Sequence, residues 1–334
     1  MALSLSSSNG CAVALNDIRG CIPRMSATAK ESSVMDARAE WLSERKSGIG
    51  GSDAAAALGQ SGHKTMFQLY QEKIGAYGDV VAPDAAERMR FGQRMEQVIA
   101  DAFAERTGVK LRRHNRIARH PKFKWMLGSY DRTIDGRREG LEAKNVDALA
   151  YRFGSWGEEY SDQVPAEYLL QTHHYLAVSG YERWHLAACV GGNSLKLYVI
   201  ERDPEMIEMI VEGEARFWKF VEKGEAPPLD YQHSTALPLL KKMYPGTNGE
   251  TVNLPPEAEA LHYARVDFDE QSKLMEKGAD AAKARILHMM GEASVGVLPN
   301  GGAYTRKIIE RDGYQVEPTR YLDFRFSARK GAKQ

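Results

Sequence analysis

The chain has 334 residues, and 45 Lys and Arg balance 45 Asp and Glu, so its net charge indicates no particular partner. Hydrophobic residues make up 43%, which is typical of a soluble globular protein with a sizeable core. Three scattered cysteines exclude a disulfide framework, and no apolar run approaches the roughly 20 residues that a membrane span needs. We therefore expect a cytoplasmic protein without a membrane partner.

Composition divides the chain into four segments. Residues 1–35 fit a signal peptide poorly, because no basic residue precedes their short apolar stretch. We expect a disordered tail there, or sequence upstream of a true start near Met25 or Met35. The further segments are a core domain over 36–228, a linker over 229–254, and an appendage of a long helix and a β-hairpin over 255–334. Asp312-Gly313 is the predicted hairpin turn.

The first ordered motif is KSGIGGSDAAAALG, residues 46–59. Its glycines predict a tight turn, Ser52 or Asp53 is predicted to cap a helix, and the alanines continue that helix. A glycine turn that leads into a helix can cradle a phosphate, because free N–H groups point outward there. A plain helix cap is the alternative. The motif does not match GxxxxGK[ST], so an NTP-binding P-loop is not supported.

Two more helices are predicted, over about 63–73 and from Pro83 to Thr107, where Gly108 stops the second. Apolar residues recur at helical spacing in the long helix, and Glu96 lies among them. A carboxylate in that position is either exposed at a rim or paired with a buried cation, because uncompensated burial is unfavourable.

Residues 109–146 are predicted to form strands. The stretch over 106–124, which includes the first of these strands, is strongly basic. The basic residues are Arg106, Lys110, Arg112, Arg113, Arg116, Arg119, Lys122 and Lys124, with no Asp or Glu among them. Such a stretch is either a solvated surface or an electrostatic footprint for phosphates. A helix over 165–180, a hairpin through Gly191-Gly192-Asn193 and an amphipathic helix over 204–224 follow. Together these elements predict an α/β core around one small mixed sheet.

The stretch LEAKN, residues 141–145, places Glu142 and Lys144 on one face of a strand, because side chains alternate across it. Asp131 lies shortly upstream, at the end of the preceding predicted strand. Carboxylate oxygens suit Mg²⁺, the Ala143 carbonyl can complete its ligands, and the lysine can act on a water or on phosphate charge. The alternative is a surface salt bridge between adjacent strands, since these residue types are common.

Several motifs occur in a specific order. They are Arg45, Gly50-Gly51-Ser52-Asp53, Glu96, Gly128-Ser129-Tyr130-Asp131, Glu142-Ala143-Lys144 and Pro165-x-x-Tyr168-x-x-Gln171. Over about residues 37–225 the chain resembles the phage lambda-type alkaline exonucleases, the YqaJ-like viral recombinase family, within the PD-(D/E)XK nuclease superfamily. The resemblance implies a restriction-endonuclease-like α/β fold, with a central mixed sheet flanked by helices. One departure is Tyr130, which stands where the family usually has proline.

The resemblance implies a metal site. Asp131 and Glu142 look like its carboxylate ligands, and the Ala143 carbonyl looks like a further ligand. Glu96 looks like the helix carboxylate that holds a metal or its water. The implied metal is Mg²⁺, with Mn²⁺ as a substitute.

The resemblance also implies residues that act on the DNA. Lys144 looks like the catalytic lysine, and Gln171 looks like the glutamine that lies near this lysine and the nucleophilic water. Arg45 and Ser52 look like a pocket for a terminal 5′-phosphate, to which Ser129 adds a hydroxyl. An arginine suits a phosphate monoester because its N–H groups form charge-assisted hydrogen bonds.

The implied activity is 5′-to-3′ digestion of double-stranded DNA ends, leaving 3′ overhangs, by a phage or prophage protein in a bacterial host. The implied partners are duplex DNA ends and a single-strand annealing protein, and the implied assembly is a homotrimer. An endonuclease or nickase of the same superfamily is one alternative, and a non-catalytic DNA-end-binding protein is another. His173 and His174 are expected to be core or helix-surface residues, because Mg²⁺ prefers oxygen ligands.

Overall fold

The structure is a computed structural model that describes residues 41, 43–76 and 83–309. The chain divides into two units between Leu240 and Lys241. The predicted tail over 1–35 and the predicted turn at Asp312-Gly313 lie outside the described residues.

The first unit alternates helices with short strands. In chain order its elements are β1 (Ile49–Gly50), α1 (Ala54–Ala57), α2 (Met66–Lys73), α3 (Pro83–Thr107), β2 (Leu111–Arg113), β3 (Ala118–Arg119), β4 (Met126–Gly128), β5 (Arg132–Ile134), β6 (Glu139–Val146), α4 (Ala148–Phe153), α5 (Ala166–Ser179), β7 (Arg183–Val190), β8 (Ser194–Glu201) and α6 (Pro204–Lys223). A further helix, α7 (Ala236–Met243), crosses the boundary between the units, inside the segment predicted as a linker.

A five-stranded mixed sheet, in the order β2-β5-β6-β7-β8, lies at the centre of the first unit. Strands β6 and β7 are parallel, and the other neighbouring pairs are antiparallel. A parallel pair needs a crossover connection, and here that connection contains α4 and α5. The predicted fold class, a mixed sheet flanked by helices, is confirmed.

Alternation along the strands creates a core on each face of this sheet. On β7, Trp184 and Leu186 belong to the core that contains α5, whereas Ala187 belongs to the core that contains α3. Leu141 and Ala143 of β6 also lie in the α3 core. The intervening side chains of β6 therefore face α5, which places one face of this strand opposite a single helix.

A smaller sheet fixes the glycine motif. Strand β1 pairs parallel with β4, which pairs antiparallel with β3. A 3₁₀ turn (Gly51–Asp53) follows β1, and a side chain at Gly51 would collide with the Tyr175 ring of α5. Glycine is needed here because the backbone approaches the helix so closely. Asp53 occupies the N-cap position of α1, as predicted, although its side chain forms no hydrogen bond with the backbone of that helix.

The basic stretch contains the end of α3 and the short strands β2 and β3, and several of its side chains bond acidic residues elsewhere in the fold. The ion pairs are Arg106–Glu159 at 3.3 Å, Arg112–Asp135 at 2.6 Å and Arg119–Glu44 at 3.2 Å. A solvated, ion-paired surface therefore accounts for part of this stretch.

The described part of the second unit contains a long helix, α8 (Glu257–Met290), in which no residue is buried. Strands β9 (Val295–Val297) and β10 (Ala303–Thr305) form an antiparallel hairpin after it. This hairpin precedes the predicted turn at Asp312-Gly313. Among all helices in the described residues, none combines the length and the apolar character that crossing a bilayer requires.

Candidate active site

A cavity of about 680 Å³ gathers nearly all of the predicted site residues. Its wall includes Arg45, Ser52, Glu96, Ser129, Asp131, Glu142, Lys144 and Gln171. The remaining predicted residue, Ala143, is buried, and its side chain lies in the core on the α3 side of the sheet. Residues that are far apart in the sequence thus meet around one space.

Asp131 lies where two strands of the central sheet separate. Strands β5 and β6 pair at Arg132 and Leu141, and Asp131 immediately precedes β5. The Ala143 backbone N–H donates a 2.8 Å hydrogen bond to Asp131 Oδ2. The Asp131 carboxylate thus takes the place of the backbone carbonyl that would accept this bond if the pairing of β5 with β6 continued. Because the N–H and C=O of one strand residue point to the same side, the Ala143 carbonyl also faces Asp131.

Glu142, Lys144 and Gln171 form one hydrogen-bonded group. Lys144 Nζ donates to Glu142 Oε1 at 2.7 Å and to Gln171 Oε1 at 2.9 Å. Gln171 Nε2 donates to the same Glu142 oxygen at 2.6 Å and to the Tyr175 hydroxyl at 3.0 Å. The side chains of Glu142 and Lys144 are only 6% and 20% exposed, so this is a buried group rather than a surface salt bridge.

The cavity raises the pKa of each carboxyl group in it. Burial, and then the charge of Asp131, raises the pKa of Glu142 to about 8 and the pKa of Glu96 to about 7. Burial also raises the pKa of Asp131 above its ordinary value. Burial disfavours the Lys144 ammonium, but the neighbouring Glu142 outweighs this and raises the lysine pKa. The carboxyl groups thus lie in a site whose cationic side chains do not offset the cost of ionising them.

The donor set fits a hard divalent cation. Glu142 Oε2 is buried and has no hydrogen-bond partner in the described structure, although buried carboxylate oxygens are normally bonded. Among the described residues, no three Asp, Glu, His or Cys side chains are close enough together to enclose a metal. Asp131 and Glu142 fit as a pair of direct ligands for Mg²⁺, which commonly retains several waters, and Glu96 lines the same cavity.

Arg45 and Ser52 form a second polar group in the same cavity. Arg45 Nη2 donates to Ser52 Oγ at 2.9 Å, and the guanidinium lies 4.9 Å from the centroid of the Trp41 ring. The Arg45 side chain is one-third exposed, which leaves it accessible to a ligand. Ser129 is half-buried in the cavity wall. A guanidinium and hydroxyls in this arrangement suit a phosphate monoester.

The structure adds residues that the motif analysis did not assign. Trp41, Arg113 and His114 line the cavity, and the Tyr168 ring lies beside it, with its centroid 5.0 Å from Lys144 Nζ. The position of Tyr168 near the site could have been predicted from the sequence, since this residue precedes Gln171 by one helical turn on α5. The other three reach the cavity through tertiary contacts that no local spacing reveals.

Tyr130, the departure from the expected Pro-Asp, fills the core behind Asp131. Its ring lies edge-on to Tyr175, with centroids 5.1 Å apart, and to Trp184, with centroids 4.9 Å apart. Such edge-to-face pairs are favourable in addition to the area they bury. An aromatic ring therefore anchors the chain beside Asp131.

The two histidines of α5 are core residues. His174 Nδ1 lies 2.7 Å from Glu214 Oε1, and its Nε2 lies 2.8 Å from the Leu127 carbonyl oxygen. His173 Nδ1 lies 3.0 Å from the Leu169 carbonyl oxygen. Neither ring lines the cavity with the carboxylates.

Fold and site together define an α/β protein with a carboxylate–lysine cavity on its central sheet. Residues 40–182 match the model of the YqaJ-like viral recombinase domain. The uncharacterized protein YqaJ of Bacillus subtilis (strain 168) is 35% identical over 290 residues, which cover 86% of this chain and 88% of that protein. The chain therefore belongs to the YqaJ-like viral recombinase family, and the resemblance noted in the sequence is confirmed.

Similarity to solved structures is more distant. An alkaline exonuclease (LHK-Exo) from Laribacter hongkongensis is 17% identical, with a TM-score of 0.46, over 56% of this chain and 93% of that one. A phage-related exonuclease from Haemophilus somnus 129PT is 13% identical, with a TM-score of 0.40, over 59% of this chain and 96% of that one.

Proposed function

We propose that this protein is a Mg²⁺-dependent exonuclease that digests one strand of duplex DNA from 5′-phosphorylated ends, in the 5′-to-3′ direction, and leaves 3′ overhangs. The observation that supports this most strongly is that the Asp131–Glu142–Lys144 group shares one cavity with Arg45 and Ser52. The first group suits hydrolysis of a phosphodiester, and the second suits a phosphate monoester. Only a strand end offers both kinds of phosphate side by side.

The side chains divide the chemical work. Asp131 and Glu142 would hold Mg²⁺, which when bound polarises the scissile phosphate and acidifies its water. Lys144 and Gln171 bond Glu142 Oε1, which leaves the unpartnered Oε2 as the oxygen that would hold the metal. Because its pKa is raised, Lys144 acts as a proton-bearing group that stabilises negative charge on the phosphate, rather than as a general base.

Arg45 and Ser52 account for end dependence. When they hold the terminal 5′-phosphate, the next phosphodiester lies toward the carboxylates. Such anchoring makes the reaction effectively unimolecular, which favours hydrolysis at an end over hydrolysis inside a strand.

The proposal includes the partners that this reaction requires. Duplex DNA ends are the substrate, and a single-strand annealing protein would take up the 3′ overhang. The family's description as viral recombinases supports such a partner and a phage or prophage role in the bacterial cytoplasm. A homotrimer is proposed as the assembly that encloses the DNA.

The test is digestion of linear duplex DNA with Mg²⁺, comparing 5′-phosphate with 5′-hydroxyl ends and including closed circular DNA. We expect steady loss of one strand from phosphorylated ends while circles stay intact. Cut circles would instead indicate an endonuclease or nickase. Retained end binding without any cleavage would indicate a non-catalytic DNA-end-binding protein.

Stabilisation by Mg²⁺ is expected to be larger at pH 8.5 than at pH 6.0. At the lower pH, protons on Glu96 and Glu142 compete with the metal, because their pKa values are raised to about 7 and about 8. A ligand at a hundred times its Kd stabilises by about 2.7 kcal/mol. For a unit of this size that shifts the midpoint of thermal unfolding by roughly 5–10 °C.

Thermal unfolding with and without Mg²⁺ at the two pH values measures this effect. Glu142→Gln should remove most of the shift at pH 8.5, whereas Glu139→Gln on the same strand should keep it. An equal shift at both pH values, or in both variants, would show that Mg²⁺ binds elsewhere.

A further inference from the structure

A buried cluster of charges lies directly behind the Arg45–Ser52 pocket, and the proposed reaction does not yet use it. Its centre is Asp53, which is 4% exposed at the end of the glycine turn. Asp53 lies 2.7 Å from Lys73 Nζ, 3.6 Å from Lys64 Nζ and 3.8 Å from Arg45 Nη2. Burial opposes its negative charge, but these three cations outweigh burial and lower the pKa of Asp53, so it is a carboxylate.

Lys73 connects this cluster to the pocket backbone. Its Nζ donates to Asp53 Oδ2 at 2.7 Å and to the Arg45 carbonyl oxygen at 3.1 Å. The side chain is only 6% exposed, so Lys73 does not reach solvent as a surface lysine does. One ammonium on α2 thereby holds both the segment that carries Arg45 and the turn that carries Ser52.

Asp53 contributes from the turn side. The same Oδ2 accepts a hydrogen bond from the Gly50 N–H at 3.4 Å, at the start of the glycine turn. Arg45 bonds Ser52 closely, whereas its distance to Asp53 is the longest of the three cations. Asp53 is thus within ion-pair distance of the guanidinium, while Lys73 bonds this carboxylate more closely than Arg45 does.

The charge balance of the cluster favours an anion. The cations Arg45, Lys64 and Lys73 face the carboxylates Asp53 and Glu72, which leaves one net positive charge. Within this set, Arg45 is the member that also lines the cavity. A phosphate monoester at Arg45 offsets this charge.

We propose that Lys73 and Asp53 are positioning residues for recognition of the terminal 5′-phosphate, because they fix Arg45 and Ser52 in the geometry that binds it. This inference rests on the proposed end pocket. Lys73 and Asp53 act through Arg45 and do not touch the DNA.

The experiment compares binding of a hairpin duplex with one blunt end that carries either a 5′-phosphate or a 5′-hydroxyl. The full chain is titrated with Ca²⁺ in place of Mg²⁺, and a gel confirms that the DNA stays intact. For the wild type we expect about tenfold tighter binding of the phosphorylated end, from a charge-assisted contact. Lys73→Met and Asp53→Asn should each bring this ratio close to one.

The controls separate positioning from general stability. Lys196→Met makes the same chemical change at an ion pair outside the cluster, 3.8 Å from Glu159, and it should keep the wild-type ratio. Asp53→Asn keeps the side-chain shape, so it tests the idea if Lys73→Met fails to fold. In an Arg45→Ala background, Lys73→Met should have no further effect on the ratio, because the two changes act on one contact.

A wild-type ratio near ten that persists in Lys73→Met and Asp53→Asn would overturn the positioning role and leave the end pocket standing. A wild-type ratio of one would overturn the pocket and the positioning role together. Hydrolysis of linear DNA with Mg²⁺, measured separately on the wild type, reports on the proposed nuclease activity independently of either result.

Discussion

Replacing Glu142 by glutamine is expected to lower the rate of nucleotide release from duplex ends by at least about 10³-fold. Glu142 Oε2 is the buried oxygen without a partner, and an amide in its place offers a metal much less charge. Asp131→Asn should have an effect of similar size, although its remaining oxygen can still accept the Ala143 N–H. Initial rates on 5′-phosphorylated linear duplex with Mg²⁺ measure both effects.

End binding distinguishes loss of chemistry from loss of fold. Arg45 and Ser52 are unchanged in both variants, so affinity for a phosphorylated end should stay within a few-fold of wild type. Glu139→Gln is a matched control, because Glu139 lies on the same strand but bonds His185 at 2.7 Å, outside the cavity. A Glu142→Gln protein with a near-normal rate would refute the metal assignment.

Glu142→Gln should also stabilise the metal-free protein at alkaline pH. An acid whose pKa is raised on folding is more easily ionised in the unfolded chain, so its contribution to stability falls as pH rises from about 4.5 to about 8. Glutamine cannot ionise, and it removes this loss. A higher midpoint of thermal unfolding for Glu142→Gln than for the wild type at pH 8.5 without metal would show that function at Glu142 is maintained against stability, as is common at active sites.

Local sequence was most informative where one element carries the chemistry. Glu142 and Lys144 share a face because a strand alternates, and Gln171 lies on the helix that this face meets. The bounds of α3 were also predictable, since Pro83 begins it and Gly108 follows its last residue. Each of these features depends on the residues of a single element.

Features that depend on contacts between elements were not predictable. Asp53 holds the predicted N-cap position of α1, but the side chains of Ser52 and Asp53 bond Arg45 and Lys73 rather than the helix backbone, and Lys73 lies on a separate helix. The basic run over 106–124 was compatible with a solvated surface and with a phosphate footprint, and the structure pairs Arg112 and Arg119 with acidic residues that the fold brings to them. Charge counted along a sequence cannot show which charges tertiary structure will pair.

Replacing Lys144 by methionine is expected to slow the chemical step by at least about 10²-fold, because the charge that develops on the phosphate loses a positioned ammonium. Methionine keeps the length and the apolar stem of the side chain, so the buried surroundings should remain packed. Single-turnover rates on 5′-phosphorylated duplex measure the chemical step without product release.

The pH dependence of that rate tests whether Lys144 also controls the ionisation of Glu142. Lys144 opposes the rise in the pKa of Glu142, so its removal should push that pKa above about 8. Metal binding requires the ionised carboxylate, and the rate of Lys144→Met should therefore rise with pH over a higher range than in the wild type. Lys196→Met, which removes a lysine 3.8 Å from Glu159, is the control and should keep the wild-type profile. An unchanged rate and profile in Lys144→Met would reduce the Glu142–Lys144 contact to a structural ion pair.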